Sequence, residues 1–286
     1  MSTVTNERLF IPQTLREALD LLAEDSAITP IAGGTWLMRA PLRGEPLPGR
    51  CLAIGAIDEL AGVQIEEATV TIGAGVSHAA LARAVDGVPD LRGLGQAAMK
   101  SANPAIREVA TVGGNLATGG FPAADLVPAL LAMDAEVIVA HRDREERVPM
   151  TRFLEREPRV PPGSLLTGVR VARRRQSSGH ARLTMRTAGD YAVAIVSLCL
   201  GLQEGGTITE ARVAVGSVEP TPRRWTELEQ ALAGSRADAA TAAQAADSLV
   251  AGFNGRDGVE APGWYRTRVL PTLVRRAFEA ALPRTA

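Results

Sequence analysis

Two short uncharged turns, Ala32-Gly33-Gly34-Thr35-Trp36 and Thr111-Val112-Gly113-Gly114-Asn115, are the residues of this chain best placed to do chemistry. Each follows an apolar or β-compatible stretch. A glycine pair lets the backbone take positive φ, so that consecutive N–H groups can point into one concavity, and such a nest holds an anion without lysine or arginine. Thr35, Thr111 and Asn115 add side-chain donors, and a helix starting after such a turn adds its positive end. Two turns of this kind can grip the diphosphate of a dinucleotide from both sides. Replacing Gly34 or Gly114 with valine is expected to abolish that grip, because a β-branched residue resists positive φ and fills the space.

Other nucleotide motifs are missing. No Gly-Lys-Ser/Thr follows a glycine loop, and Gly73-Ala74-Gly75 lacks the third glycine of the nicotinamide fingerprint because His78 stands there. Two cysteines, Cys51 and Cys199, are too few for an iron–sulfur cluster on four thiolates, and their distance in sequence argues for a reducing compartment. His78, His141 and His180 show no metal spacing and read as surface or loop residues. A net charge of −1 gives no field for nucleic acid, and the short run Arg173-Arg174-Arg175 reads as a solvated linker. No segment is apolar enough for a membrane span and the N-terminus lacks a signal pattern, so a cytoplasmic location is expected.

The elements that must position the turns follow from pattern. Residues 9–11 form a strand, and Thr14 with Glu17 makes a capping box before a helix carrying Leu15, Ala18, Leu22 and Ala23 on one face. Residues 28–31 and 51–54 are strands. Val63, Ile65, Val70 and Ile72 alternate in a hairpin that turns at Glu66-Glu67-Ala68. Ser77 caps a helix, residues 91–99 form another, and Asp125 opens a third. A hairpin spans 136–148 and a strand 165–171. Beyond the arginine run, residues 182–186, 194–202 and 207–217 read as three strands. Everything after Pro222 reads as helices, with Leu228, Ala231 and Leu232 as a core stripe and Trp225, Phe253, Trp264 and Phe278 as packing. Strands followed by helices signal an α+β unit.

The second turn has a longer context: Ile106-Arg107-Glu108-Val109-Ala110-Thr111-Val112-Gly113-Gly114-Asn115-Leu116, then Pro122-Ala123-Ala124-Asp125-Leu126. This resembles the flavoprotein subunits of the molybdenum hydroxylases, the xanthine dehydrogenase and carbon monoxide dehydrogenase family. Their usual forms are an Ala-Gly-Gly-Thr-Asp-Leu first loop and an Ile-Arg-Asn-x-Ala-Thr-Ile-Gly-Gly-Asn-Leu second loop. Gly216-Ser217-Val218-Glu219-Pro220-Thr221-Pro222, Trp264-Tyr265-Arg266 and Leu273-Val274-Arg275-Arg276-Ala277 are similar to later landmarks in the same order. Trp36 and Glu108 depart from the usual Asp or Ser and Asn, and Gly119-Gly120-Phe121 replaces a small polar stretch.

The resemblance implies an α+β fold with a two-part FAD-binding region of the vanillyl-alcohol-oxidase (PCMH) type, residues 1–175 with subdomains of about 1–55 and 56–175. A smaller C-terminal α+β domain, residues 176–286, carries a three-stranded antiparallel sheet and helices and covers the flavin. It further implies that Ala32, Gly33, Gly34, Thr35 and Trp36, with Thr111, Val112, Gly113, Gly114 and Asn115, hold the FAD diphosphate and ribitol through backbone N–H groups. Ser101 and Ala102 would line the cofactor. Asp125 would accept from a flavin hydroxyl, or cap its helix. Tyr191 would cover one flavin face, or be a buried tyrosine at a strand start; Asp190 would fix that loop; Arg186 would face the reduced flavin, or make a surface ion pair. No catalytic or metal-ligating residue is expected on this chain. Substrate oxidation would occur at a molybdenum cofactor on a large partner subunit, with electrons passing through [2Fe-2S] clusters of a small subunit to this FAD and on to NAD, a quinone or oxygen. A dimer of heterotrimers is implied. The competing readings are a free-standing flavin oxidase with its own substrate and a non-redox scaffold that has lost FAD.

Overall fold

The computed structural model describes residues 8–186 and 191–282; Asp190 lies outside the described residues. In chain order its strands and helices are β1 (Leu9–Phe10), α1 (Leu15–Glu24), β2 (Thr29–Ile31), β3 (Cys51–Ala53), β4 (Val63–Ile65), β5 (Thr69–Gly73), α2 (His78–Ala84), α3 (Arg92–Lys100), α4 (Pro104–Val109), α5 (Val112–Ala117), α6 (Leu126–Ala132), β6 (Glu136–Ala140), β7 (Glu145–Pro149), α7 (Met150–Leu154) and β8 (Leu165–Ala172). They continue as β9 (Ser177–Leu183), β10 (Ala194–Leu202), β11 (Ile208–Gly216), β12 (Arg223–Arg224), α8 (Thr226–Leu232), α9 (Ala239–Leu249), α10 (Gly263–Arg268) and α11 (Leu270–Ala281). The chain divides into two compact units. One comprises Met1–Leu81, Pro104–Gly119 and Ala135–Val171, the other Ala82–Asn103, Gly120–Asp134 and Ala172–Ala286.

The first unit contains a parallel three-stranded sheet, order β1-β3-β2, and a five-stranded sheet, order β4-β5-β8-β6-β7. α1 starts where expected: Thr14 Oγ1 accepts from the Glu17 N–H at 3.2 Å. The reciprocal half of the box differs, since Glu17 Oε2 accepts from the Gln13 N–H at 2.8 Å. Its apolar face buries Ala18, Leu19 and Leu22 against Ile28, Leu52, Ile54 and Leu60. The expected hairpin is present as β4–β5 and pairs Val63 with Ile72 and Ile65 with Val70; Val70 and Ile72 are buried, whereas Ile65 is exposed.

The second unit is an antiparallel sheet of order β12-β11-β10-β9 with helices packed on it. This corrects three expectations. The sheet has a fourth, two-residue strand, β12, in a stretch read as wholly helical. β9 begins at Ser177, inside the presumed linker, and ends at Leu183 instead of Arg186. Its polar start is buried because its groups are matched: Ser178 Oγ accepts from the Gly93 N–H at 2.9 Å and donates to the Asp90 carbonyl at 3.1 Å. The arginine run is solvated only in part: Arg174 and Arg175 are exposed, but two of the three are paired. Arg173 makes a bidentate contact to Asp90, both distances 3.0 Å, and Arg174 pairs with Asp134 at 3.2 Å.

Packing also sorts the aromatics. Trp225 and Phe278 are buried, and Trp225 meets Phe253 edge-on at 4.8 Å. Trp264 meets Tyr265 edge-on at 5.7 Å but is 62% exposed, so its packing is at the surface. In the α8 stripe Leu228 and Leu232 are buried and Ala231 is exposed.

Candidate functional site

In the first unit the structure brings the two glycine turns together. An added Cβ on Gly33 would lie 1.8 Å from the Val109 carbonyl oxygen and 3.2 Å from the Ala110 nitrogen. Only glycine allows the residues leading into the second turn to press this closely on the first. Gly34 sits at φ +66°, the left-handed region, as expected of a nest. Residues 32–36 are half-buried. Among the described residues, the N–H groups of Gly33, Gly34 and Thr35 have no acceptor in the chain. Backbone donors folded away from water are almost always paired; these three, on half-buried residues, are open to water or to an anionic ligand at this turn. Trp36 is engaged locally: the Arg43 guanidinium lies 4.0 Å from its ring centroid and bonds its carbonyl at 3.1 Å.

The second turn is built differently from the expected nest. It is the start of helix α5, with Thr111 at the N-cap and its Oγ1 accepting from Gly114 N–H at 3.1 Å. The Val112 N–H donates to Val76 O, Gly113 to Ala74 O and Asn115 to Thr111 O. Those donors are thus spent inside the protein. Neither Gly113 nor Gly114 has positive φ, so the expectation that valine at Gly114 would act through φ is corrected. Gly113 is glycine because a Cβ would lie 2.8 Å from the Ala74 Cβ. At Gly114 an added Cβ meets only Thr111 Oγ1, at 3.1 Å, with open space otherwise. What this turn offers a ligand is the smooth surface at Gly114.

Two residues that sequence reasoning set aside hold α5 in place. His78, expected at the surface, is 2% exposed; burial pulls its pKa down to about 4, partly offset by a hydrogen bond to the Thr111 backbone. Arg159 is buried, and its Nη1 donates to the carbonyls of Leu116 at 2.9 Å and Thr118 at 3.1 Å at the end of α5. It supplies the cation that the last turn of this helix lacks. Nothing in the proline-rich sequence around Arg159 signals this.

In the second unit Ser101 is buried and its Oγ donates to Ala98 O at 2.8 Å, while Ala102 takes φ +43°, a conformation disfavoured for alanine. Asp125 occupies the N-cap position of α6 but makes no side-chain cap bond. Its buried carboxylate instead faces Arg182, with Oδ1 2.9 Å from Nε. Burial raises its pKa to about 6 against the pull of Arg182. Tyr191 is half-buried, neither core nor open, and its ring meets Phe121 edge-on at 5.3 Å. Phe121, noted only as a departure from the family pattern, is therefore the aromatic partner of the expected flavin-covering residue. Arg186 is exposed, and its carbonyl accepts from Thr184 Oγ1. His180 is fully buried, its Nδ1 2.9 Å from Ser197 Oγ, and burial pulls its pKa down to about 3; the surface expectation fails here too.

Comparison with known proteins bears on what these geometries serve. Residues 5–173 match the family described as the FAD binding domain in molybdopterin dehydrogenase, and residues 180–281 match the CO dehydrogenase flavoprotein C-terminal domain. The chain is 31% identical over 280 residues to the 6-hydroxypseudooxynicotine dehydrogenase complex subunit alpha of Paenarthrobacter nicotinovorans, covering 96% of this chain and 94% of that one. It is 29% identical to the carbon monoxide dehydrogenase medium chain of Afipia carboxidovorans, covering 96% of each. Among solved structures, reconstituted CO dehydrogenase from Oligotropha carboxidovorans superposes with a TM-score of 0.85 at 25% identity, covering 96% of this chain and 97% of that one. Quinoline 2-oxidoreductase from Pseudomonas putida 86 shares the fold, with a TM-score of 0.86 at 24% identity and 96% of each chain covered. No described helix is long and apolar enough to cross a membrane.

Proposed function

The chain belongs to the FAD-binding medium subunits of the molybdenum hydroxylases, oxidoreductase complexes with large and small partner subunits, and from that premise we propose how its own residues serve the cofactor. The N–H groups of Gly33, Gly34 and Thr35 receive the diphosphate of FAD, and Ala32 and Trp36 flank it. Thr111, Val112, Gly113, Gly114 and Asn115 present a smooth helix start whose donors are already satisfied, so this turn shapes and orients more than it neutralises. Ser101 and Ala102 line the cofactor, and Asp125, paired with Arg182, accepts a hydrogen bond from one of its hydroxyls. Tyr191 covers one flavin face with Phe121 behind it, and Arg186 faces the reduced flavin. In this reading residues 1–175 form the FAD-binding domain and 176–286 the C-terminal domain.

Bound flavin supplies a centre that exchanges electrons with one-electron and two-electron partners. The protein's part is to bind it, fix its orientation and keep water from its face. In such a complex a molybdenum cofactor on the large subunit and [2Fe-2S] clusters on the small one would supply the electrons, and the FAD held by this chain would pass them to NAD, a quinone or oxygen. The complex is a dimer of heterotrimers in the cytoplasm.

The observation that carries this reading is the run of unmatched N–H groups at Gly33, Gly34 and Thr35. The test is to purify the chain with whatever copurifies, assay molybdenum, iron and FAD, and follow flavin absorbance as reducing equivalents enter through the partners. Bleaching through the partners supports the proposal. A lone flavin-loaded chain that oxidises small organic donors by itself would replace it with the free-standing oxidase.

A further inference from the structure

Ser217 is buried and takes φ +65°, one of three non-glycine residues with positive φ among those described. Such strain persists only where the surroundings over-determine the backbone, and here they do. The Ser217 N–H donates to Pro122 O at 3.0 Å, and its Oγ donates to Ala192 O. Its carbonyl accepts from Arg266 Nη1 at 3.2 Å and from Arg256 Nε at 3.0 Å. Arg266, fully buried, uses the same Nη1 on Val193 O at 2.8 Å and is neutralised by Glu260 at 2.9 Å.

These bonds converge on two segments. Ala192 and Val193 follow Tyr191, and Pro122 follows Phe121. Both members of the edge-on ring pair are therefore one residue away from a carbonyl held by Ser217. We propose that Ser217, backed by Arg266, is a positioning residue that fixes the Tyr191–Phe121 pair in the orientation in which Tyr191 covers the flavin. The inference rests on the assignment of Tyr191 to the flavin face. It also gives a physical reason for two landmarks, Gly216-Ser217 and Tyr265-Arg266, that lie far from the glycine turns in sequence.

Two substitutions separate positioning from folding. Ser217→Ala keeps the strained φ and leaves the buried Ala192 carbonyl without its donor. Ser217→Gly removes the same hydroxyl but relieves the strain. The glycine variant is expected to melt higher than the alanine variant. Both are expected to lose FAD affinity by the same factor, roughly tenfold, the size of coupling between residues in one network, with the same change in the spectrum of the bound flavin. In a Tyr191→Ala background neither should lose affinity further. An equal loss in both backgrounds, or affinity that recovers with stability in Ser217→Gly, would overturn the proposal. If Tyr191→Ala weakens FAD and the Ser217 variants do not, this inference alone fails. If Tyr191→Ala leaves affinity and spectrum unchanged, the placement of Tyr191 at the flavin fails and takes the inference with it.

Discussion

Gly114→Ala should separate stability from cofactor binding more sharply than any other single change. Gly114 lies in the first turn of α5 without positive φ, and an added methyl meets only Thr111 Oγ1 at 3.1 Å. Alanine in place of a helical glycine stabilises by about 0.5–1 kcal/mol, chiefly by restricting the unfolded chain. The tight contact with Thr111 Oγ1 trims that gain. The FAD-free protein should therefore melt at the wild-type temperature or up to about 4 °C higher. FAD is another matter. If the cofactor lies against the bare face of Gly114, the methyl overpacks that contact by about 1–3 kcal/mol, which is roughly a 5- to 150-fold loss in affinity. The assay pairs thermal unfolding of the FAD-free chain with a flavin fluorescence titration. Wild-type affinity in a protein of undiminished stability would show that the open space before Gly114 is not the cofactor's.

Other outcomes follow from the same coordinates. Gly33→Ala should damage both properties, because its Cβ would fall 1.8 Å from the Val109 carbonyl oxygen, a backbone atom that cannot rotate away. A loss of about 1–3 kcal/mol in denaturant unfolding is expected, together with loss of FAD; a stable, flavin-loaded variant would contradict the contact between the turns. On acidification, His78 and His180 are held neutral, with pKa values of about 4 and about 3 against an ordinary 6.5. The folded state thus binds fewer protons than the unfolded one, and stability falls as pH drops from 6.5 towards those values, by on the order of 1.4 kcal/mol per pH unit per histidine. Asp125 has the opposite sign: its pKa is raised from 3.8 to about 6, so its contribution favours folding at low pH and is lost as pH rises through that window. Between pH 6 and 4 two histidines oppose one carboxylate, so the net slope is towards acid lability. His180→Gln should flatten it in pH-dependent melting, and an unchanged slope would show that His180 does not titrate as its burial demands.

Much of the fold was legible where apolar periodicity is strong. The β4–β5 hairpin and the span of β10 were readable because alternation or a continuous apolar run leaves few other solutions. The candidate site was readable as two glycine turns, but not the division of labour between them. Whether a turn's N–H groups are free or spent depends on tertiary partners such as Val76 and Ala74, which no local pattern announces. The same limit hid buried polar residues. Ser178, His180, Arg159 and Arg266 look like surface residues by composition and are buried because distant hydrogen bonds satisfy them. Trp264 shows the converse, a large aromatic left exposed in a helix whose neighbour Arg266 is buried.

Equilibrium titration of the pure, folded chain with FAD, followed by gel filtration and an absorption spectrum, probes the glycine-turn cradle itself. One flavin is expected to be retained per wild-type chain and none by a folded Gly34→Val variant, whose φ of +66° valine cannot adopt without strain. A folded wild-type chain that emerges colourless, or a Gly34→Val chain that keeps full flavin, would contradict that cradle.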